Sequence, residues 1–149
     1  MRKVSIVVSS LVLALLVTGC KAAPKPGVAI TQATGCVADN NDKRVTLQGY
    51  PRISGMVMVS DDMGVDLFEQ PGGQGQSVTV YLTVGKGANQ VEDIPDNFSD
   101  ADLKIHLNDN TVVGTDSPIK VTGSMLVTPD GSGKNTCLIN EIDLIEAGS

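Results

Sequence analysis

The chain has 149 residues and a formal net charge of −6, from 11 Lys plus Arg against 17 Asp plus Glu, with two Tyr, two Phe, no Trp and a single His. That length suits one domain with one core. The acidity argues against a nucleic-acid partner, because nonspecific affinity for a polyanion comes from cations that displace its counterions.

The N-terminus opens Met1-Arg2-Lys3 and runs through apolar residues 4–17 before ending Leu16-Val17-Thr18-Gly19-Cys20. Two cations ahead of a 14-residue run that holds three serines form an export signal; a bilayer-spanning helix needs about 20 apolar residues. An ordinary secretory signal wants small residues of A-x-A type before the cut, whereas here an aliphatic residue and two small ones precede the first cysteine. This ending resembles the lipobox of bacterial lipoproteins. The resemblance implies a signal peptide over 1–19 and acylation of Cys20 with diacylglycerol and a fatty acid such as palmitate. It also implies a cell-envelope location, facing the periplasm or the exterior, on a membrane anchor. Each buried methylene adds about 0.8 kcal/mol, so two or more chains hold firmly where one holds weakly. In similar enteric-type lipoproteins an aspartate after the cysteine retains the protein at the inner membrane, so Lys21 implies the outer one. Loss of Arg2 and Lys3 leaves nine cations against 17 acids, a charge of −8 on the mature chain.

Residues 20–34 read as a lipidated tether, rich in Ala, Pro, Gly and Thr, with Pro24 and Pro26 blocking a helix. As a flexible coil of about 14 residues it spans on the order of 20 Å. Residues 35–149 read as the folded domain, in which apolar and polar residues alternate with period two and helical periodicity is nearly absent.

Within the domain, Val45, Leu47, Ile53, Val57 and Val59 share a phase interrupted by Gly49, Pro51 and Gly55, which suits one long bent strand or two short ones. Asp61-Asp62-Met63-Gly64 reads as a turn before a strand over 65–70. Pro71-Gly72-Gly73-Gln74-Gly75 closes a hairpin into residues 77–84, where Val78, Val80, Leu82 and Val84 oppose Thr79, Tyr81 and Thr83. Residues 85–118 form a long connection holding a short strand or one helical turn. Strands return over 119–127 and, after the turn Pro129-Asp130-Gly131-Ser132-Gly133, over 136–145. In the last strand Cys137 and Ile139 share one phase, Ile142 and Leu144 the other; a bulge near Asn140-Glu141 reconciles them.

Five strands with an excursion between the third and fourth predict an all-β protein, a five- to six-stranded Greek-key barrel of OB type. An immunoglobulin-like β-sandwich is the alternative; it wants more strands and a buried Trp. The endings Pro118-Ile119-Lys120-Val121-Thr122-Gly123 and Cys137-Leu138-Ile139 resemble the last two strands of bacterial envelope lipoproteins with OB-fold, tRNA-anticodon-binding-like domains. With Cys20 acylated, Cys36 and Cys137 remain for an oxidising compartment, where two thiols pair. A Cys36–Cys137 disulfide is expected. Two separately buried thiols are the alternative, and two cysteines with one histidine make a poor metal set.

Catalytic chemistry lacks parts. His106 falls opposite Leu103, Ile105 and Leu107 and reads as a solvent-facing strand residue, which leaves no Ser-His-Asp or Cys-His system. Gly72-Gly73-Gln74-Gly75 and Gly85-Lys86-Gly87 open no helix and lack a Gly-Lys-Ser/Thr ending, so they read as turns rather than phosphate cradles. Asp39-Asn40-Asn41-Asp42 begins like a calcium loop, but Lys43 and Arg44 occupy a ligand and the glycine position and Tyr50 the bidentate glutamate's. Glu92-Asp93-Ile94-Pro95-Asp96 and Ser99-Asp100-Ala101-Asp102 read as solvated loops. No cofactor or metal is implied.

Barrels of OB type bind ligands on an exposed wall through aromatics and cations. Tyr50, Arg52, Tyr81 and Lys120 are the candidate ligand face; the plainer reading makes Tyr50 and Tyr81 cross-strand packing pairs. The expected function is noncatalytic: an envelope module that engages another envelope protein or a surface polymer. The alternative is small-ligand or oligosaccharide binding on the barrel face.

Overall fold

Period-two alternation builds the strands that make up about half of the described residues. The computed structural model describes residues 25–149; the expected export signal and Cys20 lie outside the described residues. In chain order the elements are β1 (Val28–Ile30), a one-turn helix α1 (Gln32–Gly35), β2 (Arg44–Val59), β3 (Asp62–Gln70), β4 (Gln74–Thr83), β5 (Gln90–Val91), β6 (Ile105–His106), β7 (Val112–Val113), β8 (Ile119–Pro129) and β9 (Asn135–Ala147).

The protein is all-β, and its main sheet curls into a ring. The order β2-β3-β4-β9-β8 returns to β2 through the β2–β8 pairing, and β1 adds to β2 in parallel. Three strands form an antiparallel meander, and β9 then inserts between β4 and β8, pairing in parallel with β4 through Thr79 and Val80. This is the connectivity expected of a Greek-key barrel. β2 serves both sides of the ring because it is long: Arg44 to Gly49 pair with β8, and Tyr50 to Val59 pair with β3.

Alternate residues fill the interior. Val45 and Leu47, Met63, Val65 and Leu67, Val78, Val80 and Leu82, Ile119, Val121 and Met125, and Ile139 and Ile145 are all buried. Residues 85–118 cap this core with a separate three-stranded sheet, β5-β6-β7, which adds Val91, Leu103, Ile105 and Leu107.

The folded unit begins earlier than the tether boundary at residue 34. β1 pairs with Val45 to Leu47, and Thr31 caps α1 in a reciprocal capping box with Thr34. Gln32 is buried and its Nε2 donates to the carbonyls of Gln48 (2.8 Å) and Leu67 (3.3 Å), while Gly35 lies against Ile30, Met125 and Val78. Lys25 is tied to β2 as well, its carbonyl accepting from Arg44 Nε at 2.5 Å. A strand of three residues and a helix of four are too short to show a period.

Three further expectations shift. The β2–β3 turn sits at Ser60-Asp61, with Ser60 at φ 58°, so Met63 and Gly64 belong to β3. The single face expected along β2 breaks where the register slips between Ile53 and Met58: Val45 and Leu47 point inward, Val59 is exposed, and the Val57 side chain lies outside the described residues. In β9 the bulge falls where expected but preserves the phase. Ser124 pairs with Asn140 and Thr122 with Leu144, so three residues of β9 face the single Gly123. An excess of two returns the strand to its former face, and Ile145 rather than Leu144 takes the core position; Ile142, inside the bulge, packs partly against the core. Gly123 makes room for this, since a Cβ there would lie 2.5 Å from Ile142 Cδ1 and 2.6 Å from the Asn140 carbonyl oxygen.

The seam between β4 and β9, held by only two paired residues, is reinforced at both ends. At one end the Cys36–Cys137 disulfide, between residues 101 apart in sequence, ties the segment after α1 to β9. At the other, Asn89 imitates a strand: its Oδ1 accepts from Ile145 N at 2.7 Å and its Nδ2 donates to the Asp143 carbonyl at 3.2 Å. Asn89 holds φ 61°, a left-handed conformation that asparagine tolerates better than most residues.

Candidate interaction surface

Even-numbered residues of β2 and their partners form the outer wall, and the four residues read as a ligand face all lie on it without converging. Tyr50 pairs with Phe68 on β3, which in turn pairs with Ser77 on β4; Tyr81 pairs with Gly64. The two tyrosines are therefore four residues and two strands apart, about 13 Å along and about 10 Å across. They are not cross-strand partners. Lys120 lies on the other flank of β2, between Gln48 and Glu146. Arg52 is committed elsewhere: its Nη1 meets Asp100 Oδ2 at 2.9 Å, and Ile53 N donates to Asp100 Oδ1 at 3.2 Å, pinning the excursion to the bend of β2. The Arg52 Nε is buried without a hydrogen-bond partner.

His106 corrects the sequence reading. It is buried, 8 % exposed, and its Nε2 lies 3.1 Å from Glu92 Oε1. Strand phase sets His106 opposite Ile105, yet both side chains are buried, His106 with its ring against the Glu92 carboxylate. The His106 hydrogen bond, with Lys86 and Lys104 at 3.9 and 4.0 Å adding attraction, holds the Glu92 carboxyl below its ordinary range. Cys36 and Cys137 are bonded to each other, which removes both thiols as nucleophiles.

Other acidic loops do structural work. Asn41 Oδ1 accepts from Val127 N at 2.8 Å, and Asn40 Nδ2 donates to the carbonyls of Thr34 and Gly35. Asp102, Asp109 and Asp130 accept bonds from Ser99, Thr111 and Ser132, and each carboxyl is lowered chiefly by those bonds. Among the described residues no group of three or more His, Cys, Asp or Glu is placed to hold a metal, and no helix is long and apolar enough to cross a membrane.

The feature that stands out on the outer wall lies around Tyr81. There β4 and β9 part beyond their short pairing, and Val59, Tyr81, Leu126 and Leu138 line a hollow of about 290 Å³ with Asp62 and Asn140. Leu126 and Leu138 are direct cross-strand partners. A second hollow of about 240 Å³ continues from it, sharing Leu126 and Asn140 and adding Asp42, Ser124, Met125 and Glu141. Val59 and Leu126 are 49 % and 39 % exposed, on strand positions that ordinarily carry polar groups. The signal was present in the sequence: Met125-Leu126-Val127 and Cys137-Leu138-Ile139 are apolar on both phases, and a strand apolar on both faces has something to cover on each. Of the four residues expected on a ligand face, this groove contains Tyr81 alone. No protein-family model matches the chain, and no curated protein matches it significantly.

Proposed function

We propose that this chain is a bacterial envelope lipoprotein, acylated at Cys20 and held at the outer membrane. Its OB-like barrel is a noncatalytic module that engages another envelope protein. The observation that carries the binding role is the apolar groove on the outer wall at Val59, Tyr81, Leu126 and Leu138. Exposed Val59 and Leu126 join Tyr81 and Leu138 in one contiguous apolar patch, the kind of surface that marks an interaction site. The disulfide supports export, because such bonds persist in oxidising compartments. Binding of a small ligand or an oligosaccharide is the weaker reading: the groove is open rather than enclosed and holds one aromatic ring.

Intact mass and N-terminal peptide analysis of protein purified from its native membrane tests the anchor. The expected result is a mature chain starting at Cys20 with diacylglycerol on sulfur, lost in Cys20→Ala. An unprocessed Met1 terminus, or unmodified Cys20, refutes it.

A further inference from the structure

The groove has a charge pattern as well as an apolar floor. Asp62 stands at one end beside Val59 and Tyr81; Asp42 and Glu141 stand at the other, beyond Leu126 and Asn140. Among the described residues neither hollow is lined by Lys or Arg. Each carboxylate is held by a neighbour: Thr83 Oγ1 donates to Asp62 at 2.9 Å, Asn41 Nδ2 to Asp42 at 2.7 Å, and Ser124 Oγ to Glu141 at 2.9 Å. Such neutral donors orient an acid without cancelling its charge.

We infer that the groove receives a polypeptide segment of a partner protein in which apolar side chains are flanked on both sides by Lys or Arg. The inference rests on the protein-partner reading above and names the chemistry of that partner. Apolar residues of the segment cover Leu126 and Leu138, and its cations meet Asp62 at one end and Asp42 and Glu141 at the other. A second copy of this chain is a poor occupant, because two-fold pairing sets these carboxylates against their own equivalents. An anionic lipid surface is repelled for the same reason. The excess of acid over the whole chain, 17 against 11, steers cationic partners toward it.

The test is photocrosslinking in intact cells with p-benzoylphenylalanine at position 126 of the full chain, followed by sequencing of the crosslinked peptide. Leu126 is exposed enough to be replaced without opening the core. The expected adduct is a segment of another protein with apolar residues bracketed by Lys or Arg. Asp62→Lys with Glu141→Lys should cut adduct yield about tenfold, while Glu146→Lys on the far stretch of β9 leaves it unchanged. Retention of the disulfide on a nonreducing gel certifies folding; if the double reversal fails to fold, Asp62→Asn with Glu141→Gln replaces it, with an expected loss of about threefold. No adduct, an adduct to lipid or to a second copy, a crosslinked segment without cations, or a yield indifferent to charge reversal overturns the inference. Mass analysis of Cys20 on the same material separates the two readings. Lipidated protein without an adduct sinks the groove alone; an adduct on unlipidated protein sinks the anchor alone.

Discussion

Replacing Cys36 and Cys137 together by alanine removes a link between residues 101 apart in sequence. In the chain-entropy account a closed loop of about 100 residues restricts the unfolded chain by about 16 cal/mol/K, or about 4.7 kcal/mol at 25 °C. Little in the folded state opposes that figure: the cysteines lie at the surface seam, where Asn135 Nδ2 also donates to the Cys36 carbonyl at 3.1 Å, so the flanking segments keep a contact when the sulfurs go. The described domain of about 125 residues has an unfolding entropy near 0.26 kcal/mol/K, so the loss corresponds to about 18 °C in Tm. Guanidinium titration of wild type and double variant by circular dichroism, with the wild type repeated in reductant, measures it. The double variant and the reduced wild type should agree with each other and fall 3 to 5 kcal/mol below the oxidised protein. A loss under about 1 kcal/mol refutes the loop argument, and a disagreement between the two reduced forms shows that alanine itself disturbs the seam.

Gly123→Ala places a methyl against Ile142 and, less yieldingly, against the backbone oxygen of Asn140, and should cost about 1 to 3 kcal/mol in urea unfolding. Asn89→Ala strands the amide of Ile145 and the carbonyl of Asp143; about 2 kcal/mol or more is expected, with early hydrogen exchange at residue 145 as the local signature. The carboxyls of Glu92, Asp102, Asp109 and Asp130 are all lowered in the folded state. A lowered acid stabilises fully above its unfolded value and loses that contribution as pH falls through the folded one. Thermal melts should therefore be level with respect to these groups above about pH 5 and decline below about pH 4.5, with Glu92→Gln softening the decline. A Tm that rises on acidification through that range contradicts the assignment.

Strands were legible wherever both partners alternate cleanly. Val78, Val80 and Leu82 announced β4, and Gly72-Gly73 announced its hairpin, because local pattern and tertiary role agree there. Legibility failed where a residue's environment is set by an element distant in sequence. His106 has the phase of a surface residue, yet it is buried with its Nε2 on Glu92, fourteen residues away in sequence. Tyr50 and Tyr81 share a wall, but strand register separates them, and register is not visible in one strand's pattern. The bulge was foreseeable from the conflict of phases; its size, two residues rather than one, was set by what Gly123 on the facing strand permits. The groove depends on Leu126 and Leu138 being cross-strand partners, and that register is not visible in either strand alone.

The tie between Arg44 and the Lys25 carbonyl changes how the barrel is moored. Only residues 21–24 separate it from Cys20, and even stretched taut that stub reaches about 18 Å. A domain of this size is roughly twice as wide as its cable is long. On the proposed acylated form, then, the barrel cannot somersault at the membrane. It keeps the end bearing Lys25 and Arg44 down, and anything that binds it must come close to the lipid rather than wait across a gap.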